Sequence, residues 1–309
     1  MMEIDDVRAA QRRIGDRARV TPVLPAGEDL WFKLEHTQHA GSFKTRGMLN
    51  QILTAAERNA LPPAGIVAAS GGNAGLAAAY AARELGVTAE VYVPETAPQV
   101  KVTKLRRYGA QVVQVGNEYA EAYAAAVVRA SDTGALFCHA YDDPAMVAGN
   151  GTLGLELLTQ IPGGFDTVLV AVGGGGLIAG VLAAVGAHAR VVSIEPVTAP
   201  ALHEALRAGE PVDVPVSGVA ADSLGARRVG QIAYAMASSA PSASFASVLV
   251  DDKAIVHARQ QLWDEYRLGV EHGTAAAHAA LLSGAYVPAP GERVVVLLCG
   301  ANTNPADLA

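Results

Sequence analysis

Short apolar runs rich in Val and Ile alternate along the chain with Ala-rich stretches that read as helices. That order yields βαβ units and a mainly parallel sheet. The clearest strands are GIVAAS (65–70), AEVYVP (89–94), AQVVQVG (110–116), DTVLVAVG (166–173), RVVSIEP (190–196) and RVVVLLCG (293–300). Several are apolar almost throughout, as strands covered on both faces are. Between them, NAGLAAAYAARELG (73–86) reads as a helix opening on an Asn73 cap and closing at Gly86, and APQVKVTKLRRYGA (97–110) as one closing at Gly109. Further helices are expected near 117–133, 253–269 and 274–286, with the polar SSAPSAS (238–244) as a surface loop.

The fold class expected is α/β and two-lobed, with mainly parallel twisted sheets covered by helices. The βα units between 65 and 141 make a small lobe, and the strands near 166, 190 and 293 belong to a larger sheet. The boundaries are 47–148 for the small domain and 1–46 plus 149–309 for the large one, with Gly-rich GNGTLG (149–154) as the crossing point. A chain of 309 residues is long enough for either one large or two medium domains.

Composition narrows the class. Hydrophobic residues make up 51% and charged ones 17%, a packed α/β profile rather than disorder. The net charge of −7 and the lack of a basic stripe speak against a nucleic-acid partner. With Cys138 and Cys299 as the sole cysteines there is no disulfide framework or cysteine metal cluster, and a reducing cytoplasm is the natural setting. No apolar run approaches the roughly 18–20 residues of a membrane span. The opening MMEIDDVRAAQRRIG is charged and helical, unlike a signal peptide.

Four stretches carry candidate chemistry. In VLVAVGGGGLIAG (168–180) a buried strand runs into Gly173–Gly176 and a helix, so backbone N–H groups converge on an anion at a helix N-terminus. Gly174-x-Gly176-x-x-Ala179 also fits a dinucleotide turn, with Glu195 where a ribose-binding acid belongs, so an NAD-dependent dehydrogenase competes. ASGGNAG (69–75) is a second such turn, and Ser70, Gly71, Gly72 and Asn73 offer donors to a carboxylate or phenolate. Two such turns in different lobes suggest a ligand with two anionic ends held across a cleft. In AGSFKTRG (40–47), Lys44 becomes a Schiff-base nucleophile only where poor solvation or nearby cations lower its pKa. Finally, Cys299 ends an apolar strand, at the strand end where α/β sheets bind ligands.

Taken together, in this order and over nearly the whole chain, these pieces resemble the fold-type II pyridoxal-phosphate enzymes (tryptophan synthase β-like), and within them the serine/threonine dehydratases, or ammonia-lyases. YDDPAMVAGNGTLGLEL (141–157) and VEHGTAAAHAALLSG (270–284) also look like family segments. The resemblance implies that Lys44 holds the cofactor through a Schiff base, with Phe43 packed on its ring and Asn73 bonded to its phenolic oxygen. Gly173, Gly174, Gly175, Gly176 and Leu177 would cradle the phosphate, and Ser70, Gly71, Gly72 and Ala74 would receive the substrate carboxylate. Cys299 would meet the ring nitrogen. Some relatives carry a monovalent cation near the acid matching Glu195, with carbonyls around Ala199 and Leu224. The implied reaction is loss of water from a β-hydroxy amino acid of the L-threonine or L-serine type, giving a 2-oxo acid and ammonia. Lys44 would take the Cα proton, and the cofactor phosphate would protonate the leaving hydroxyl.

The lysine motif and the second anion-binding turn have no use in a nicotinamide enzyme. Racemising relatives carry a Ser where this chain has Gly71, so lyase activity with little racemisation is expected. Cysteine-synthase-like β-replacement enzymes carry a Thr-rich turn in place of SGGNAG, and a non-catalytic cofactor-binding descendant would not need the intact lysine. Where relatives read Val-Glu-Pro, this chain has Val270-Glu271-His272 followed by Gly273-Thr274. Hydroxyaspartate or another β-hydroxy amino acid therefore joins the substrate candidates, with His272 itself read as surface-facing. The chain stops at Asp307-Leu308-Ala309, so an appended regulatory domain is not expected, and a catabolic, homodimeric enzyme is.

Overall fold

The computed structural model describes residues 2–308. Met1 and Ala309, the ends of the opening and closing segments read above, lie outside the described residues. Helix α1 (Ile4–Ile14) precedes an antiparallel pair, β1 (Val23–Pro25) and β2 (Leu30–Lys33), and then α2 (Lys44–Glu57). Next come β3 (Ile66–Ala69), α3 (Asn73–Glu84), β4 (Ala89–Val93), α4 (Gln99–Arg107), β5 (Gln111–Gln114), α5 (Tyr119–Thr133) and β6 (Leu136–Phe137). These strands pair in parallel in the order β5-β4-β3-β6. The long α6 (Pro144–Gln160) leads to β7 (Thr167–Ala171), α7 (Gly176–Val185), β8 (Arg190–Pro196), α8 (Ala201–Ala208), α9 (Ala221–Leu224) and α10 (Gln231–Ser239). The chain closes with β9 (Phe245–Val250), α11 (Asp252–Tyr266), α12 (His272–Leu282) and β10 (Val294–Leu297). The larger sheet runs β1-β2-β10-β7-β8-β9 and is parallel except at its β1–β2 edge.

Every strand named from the sequence is present, and β1, β2, β6 and β9 join them. β7 shows why the central strands read as unbroken apolar runs. Val168 and Val170 pack with Ile178 and Val181 on one face, while Leu169 and Ala171 pack with Ala275 and Ala276 on the other. Alternate residues serve opposite faces, and both faces are covered by helices.

Two local expectations are corrected. GNGTLG (149–154), expected as a Gly-rich crossing point, forms no loop and lies inside the continuous α6. Its glycines serve contact between helices: a Cβ on Gly149 would lie 2.6 Å from the Arg46 carbonyl oxygen, and one on Gly151 2.6 Å from that of Gly180. Helices α6 and α7 therefore meet backbone to backbone. Asn73 is the first residue of α3 rather than its cap, and Gly72 holds the cap position. The Asn73 amide turns instead to Glu271 and Asn302.

A buried ionic cluster ties α2 to β2 and α6. Arg46 Nε and Nη2 donate to Glu35 at 2.6 and 2.9 Å, and its Nη1 donates to Glu156 Oε1 at 2.6 Å. Lys33 Nζ donates to Glu156 Oε2 at 2.5 Å and to the Thr21 carbonyl at 2.8 Å. Two cations thus meet two carboxylates. Each of the four residues is less than one-tenth exposed.

Ala in place of a mid-helix Gly ordinarily stabilises by roughly 0.5–1 kcal/mol. At Gly151 the sign reverses, because the new methyl must push α7 away. Gly151→Ala is expected to lower unfolding free energy by about 1–3 kcal/mol in a denaturant titration, and a stabilised variant would refute the close-contact account.

Candidate active site

Strand ends and helix starts from both sheets converge on one cleft of about 850 Å³. Phe43, Lys44, Ser70, Gly71, Gly72, Asn73 and Ala74 line it, as do Gly173, Gly174, Gly175, Gly176, Leu177 and Cys299. Leu224 also lines it, whereas Glu195 and Ala199, the other residues named for a cation, do not. That carboxylate is buried beneath α8, where its two oxygens accept the backbone N–H groups of Leu202 and His203 at 2.7 Å each. Burial lifts its pKa to about 8, against the pull of those two bonds. Among the described residues no cluster of His, Cys, Asp and Glu is fit to hold a metal ion.

Lys44 opens α2, and its ammonium nitrogen donates to the Ala140 carbonyl at 2.6 Å, 5.0 Å from the centre of the Phe43 ring. Desolvation brings its pKa down to about 8, although Cys299 and Glu271 act to raise it. The free-amine requirement is thus met by burial. Backbone pairing holds the lysine motif to the cysteine strand: the Phe43 N–H donates to the Cys299 carbonyl at 3.0 Å, and Ser42 bridges to Gly300.

Cys299 lies 3.3 Å from the Thr274 hydroxyl, and burial pushes its thiol pKa up to about 12, so it stays neutral. Thr274 and Gly273 line the cleft. His272 does not, and it is half-buried rather than fully surface-facing.

The four-glycine turn sits where α7 begins, and no side chain caps that helix. Its first N–H groups are left for a ligand. Side chains would fill the turn: a Cβ at Gly173 would lie 2.9 Å from the Leu224 Cα, one at Gly174 would collide with the Tyr141 ring, and Gly175 has φ +91°. Uncapped N–H groups, a desolvated lysine, an amide and a neutral thiol in one cleft are the donor and acceptor set that a phosphorylated pyridine aldehyde needs.

The model of the pyridoxal-phosphate dependent enzymes matches residues 16–300. The chain belongs to that family. An L-threonine ammonia-lyase of Geobacter sulfurreducens is 37% identical over 304 residues, covering 95% of this chain and 74% of the relative. A phenylserine dehydratase of Ralstonia pickettii is 34% identical, covering 99% of this chain and 95% of the relative. Among solved structures, maize serine racemase has a TM-score of 0.90 at 30% identity, with 99% of this chain and 95% of that one covered. This pyridoxal-phosphate enzyme therefore has the fold-type II architecture and falls in the threonine dehydratase group.

Four further residues at the cleft were not singled out from the sequence. Ala140 receives the lysine, and Tyr141 packs under the glycine turn. Lys101 of α4 and Asp222 of α9 form an ion pair across the cleft mouth. The segment that opens on Tyr141 was legible as a family stretch, but nothing local tells that Ala140 just before it receives Lys44.

In the cofactor-depleted enzyme, Lys44 should acylate with half-maximal reactivity near pH 8, where an ordinary lysine requires about 10.4. Peptide mapping after brief acetylation across that range checks this. An ordinary profile at Lys44 would sink the desolvation account.

Proposed function

We propose that this enzyme eliminates water from a β-hydroxy amino acid of the L-threonine or L-serine type, yielding a 2-oxo acid and ammonia. The observation that carries the reading is a partly desolvated Lys44 amine facing the same cleft as an uncapped glycine turn and a neutral thiol. When bound, the cofactor supplies the electron sink for the bond that breaks at Cα. The N–H groups of 173–177 would hold its phosphate, Asn73 its ring oxygen, Phe43 its ring face and Cys299 its ring nitrogen.

Lys44 acts as the base. With its pKa near 8, a large fraction of Nζ is free amine at mildly alkaline pH, and it accepts the Cα proton. Ser70, Gly71, Gly72 and Ala74 surround the start of α3, where the orphan N–H groups seat the substrate carboxylate. The thiol of Cys299 stays neutral and supplies no fixed negative charge, so beside a pyridine nitrogen it would not hold a proton there and would leave the electron sink weak. A weak sink favours prompt expulsion of a β-leaving group over reactions that need a long-lived carbanion.

A racemase needs an acid-base group on the substrate face opposite Lys44, and Gly71 offers no side chain there. The position has room for one: a Cβ would sit 3.6 Å from Val93 Cγ1 and 3.9 Å from Lys101 Cδ. Larger or acidic β-substituents remain within this reading, because Tyr119, Lys101 and Arg227 also line the cleft. The reading includes a small lobe of 47–148 set against a large lobe of 1–46 plus 149–309, in a cytoplasmic, catabolic homodimer. The two separate sheets support the division into lobes.

A 2-oxo acid assay on L- and D-serine, L-threonine, 3-hydroxyaspartate and phenylserine should show turnover of at least one L-substrate, abolished in Lys44→Ala. Undiminished activity of that variant would overturn the mechanism. Gly71→Ser is expected to fold normally and to raise the ratio of L-to-D serine conversion to elimination by about a hundredfold, the lower end of what a single positioned acid-base group contributes. Rapid racemisation by the unaltered enzyme would refute the lyase reading.

A further inference from the structure

Glu271 has no part in the reaction described above, yet it is buried beside the cleft and bonded on several sides. Its Oε2 accepts Asn73 Nδ2 at 2.9 Å, and its Oε1 accepts the Asn302 backbone N–H at 2.7 Å. Asn302 Nδ2 in turn donates to the Ala40 carbonyl and to Asn73 Oδ1, both at 2.7 Å. Donor and acceptor ends in this chain are fixed by groups that cannot exchange them. The Ala40 carbonyl only accepts, so the Asn302 group facing it is the NH₂, and the Asn73 atom facing that NH₂ is the oxygen. From the other side a carboxylate only accepts, so Glu271 faces the Asn73 NH₂. The Asn73 amide is therefore held in one of its two orientations from both ends. Of its two Nδ2 hydrogens, one goes to Glu271 and the other has no acceptor among the described residues, beside the cleft that Asn73 lines.

We propose that Glu271 and Asn302 are positioning residues that lock the Asn73 amide as a donor towards the cleft. The proposal rests on the reading of Asn73 as the partner of the cofactor's phenolic oxygen. A locked donor favours the deprotonated ring oxygen, whereas a flipped amide would point a carbonyl at it and favour the protonated form. The lysine motif takes part in the clamp: Gly41 has φ +75°, and a Cβ there would lie 3.0 Å from Asn302 Oδ1. Gly41 thereby leaves room for the asparagine that fixes Asn73.

The test is the absorbance of the cofactor-loaded enzyme at one fixed pH, read as the ratio of the long-wavelength band, which needs a deprotonated ring oxygen, to the short-wavelength band. In Glu271→Gln the single amide oxygen is claimed by the fixed Asn302 N–H, so an NH₂ faces the Asn73 NH₂. In Glu271→Gln with Asn302→Asp the donor and acceptor ends are exchanged, the summed charge is kept, and Asn73 is satisfied only when flipped. Both are expected to bind cofactor, with far-UV circular dichroism unchanged, and to lower the band ratio about tenfold, the worth of one hydrogen bond to a charged group. Asn73→Ala should lower it similarly. A ratio that falls in Asn73→Ala and is unchanged in the double variant overturns the clamp while leaving the reading of Asn73 intact. A ratio unchanged in Asn73→Ala overturns that reading and the clamp with it. If Glu271→Gln alone fails to fold, the double variant still decides, because the ends facing Asn73 are matched again on both sides and the Ala40 carbonyl alone loses its donor.

Discussion

Arg46 is the fixed point of the molecule. It lies two residues after Lys44 on α2, and two helical steps turn a side chain by about 200°. The lysine therefore faces the cleft while the guanidinium faces into the protein, where Glu35, Glu156 and Thr152 receive it. Burying two cations and two carboxylates is costly in itself, and such clusters gain little stability over apolar packing. What the cluster provides is a unique seat. An apolar helix face can slide or rotate by part of a turn at modest cost, but a guanidinium with two carboxylate partners has one satisfactory position. The seat of α2 is also the seat of the reactive lysine, and the glycine contacts of α6 against α2 and α7 let the helix backbones come close enough for it.

The rest of the site follows from where parallel strands end. In both sheets the carboxyl ends of β3 and β7 lead directly into Gly-rich turns and helix N-termini, and in open α/β sheets ligands bind at such ends. The two turns belong to different sheets, so a ligand anionic at both ends would span the cleft between them. The Lys101–Asp222 pair joins α4 to α9 at the mouth of that cleft. It is partly exposed, so its strength is limited by water and salt. A contact of this kind bridges α4 and α9 far less firmly than the Arg46 cluster seats α2.

Central strands and Gly-rich turns were legible because their signals are local: an unbroken apolar run, a glycine string, a lysine behind a small residue and an aromatic. β1, β2 and β9 were not: β1 and β2 are short, β9 is half-buried at a sheet edge, and their partners come from elsewhere in the chain. Lys33 and Arg46 look like surface charges in the sequence, and only the fold brings Glu35 and Glu156 to them. The glycines of GNGTLG gave no sign in the sequence that they lie inside a helix, because the close helix contacts that require them involve residues far along the chain. The site residues taken from family motifs converge on one cleft because each closes a strand or opens a helix. Glu195 is the exception, buried under α8, away from the cleft.

Burial acts in one direction on three groups of the cleft, pushing Lys44, Cys299 and Glu271 each towards its neutral form. Burial lowers Lys44 to about 8 and raises Cys299 to about 12, and it raises Glu271 as well. A weak base and a neutral thiol are therefore products of one desolvated environment rather than two separate adaptations. The interaction between Lys44 and Glu271 works against this trend, since an ionised carboxylate nearby favours the lysine cation. The hydrogen bonds that Glu271 accepts from Asn73 and from the Asn302 backbone favour its own anion. Those two donors hold the carboxylate in place as an acceptor, and the desolvation of Lys44 outweighs the field that the carboxylate casts on it. The cleft thus keeps a reactive amine close to a carboxylate without an ion pair locking it, and this leaves Lys44 free to exchange its proton.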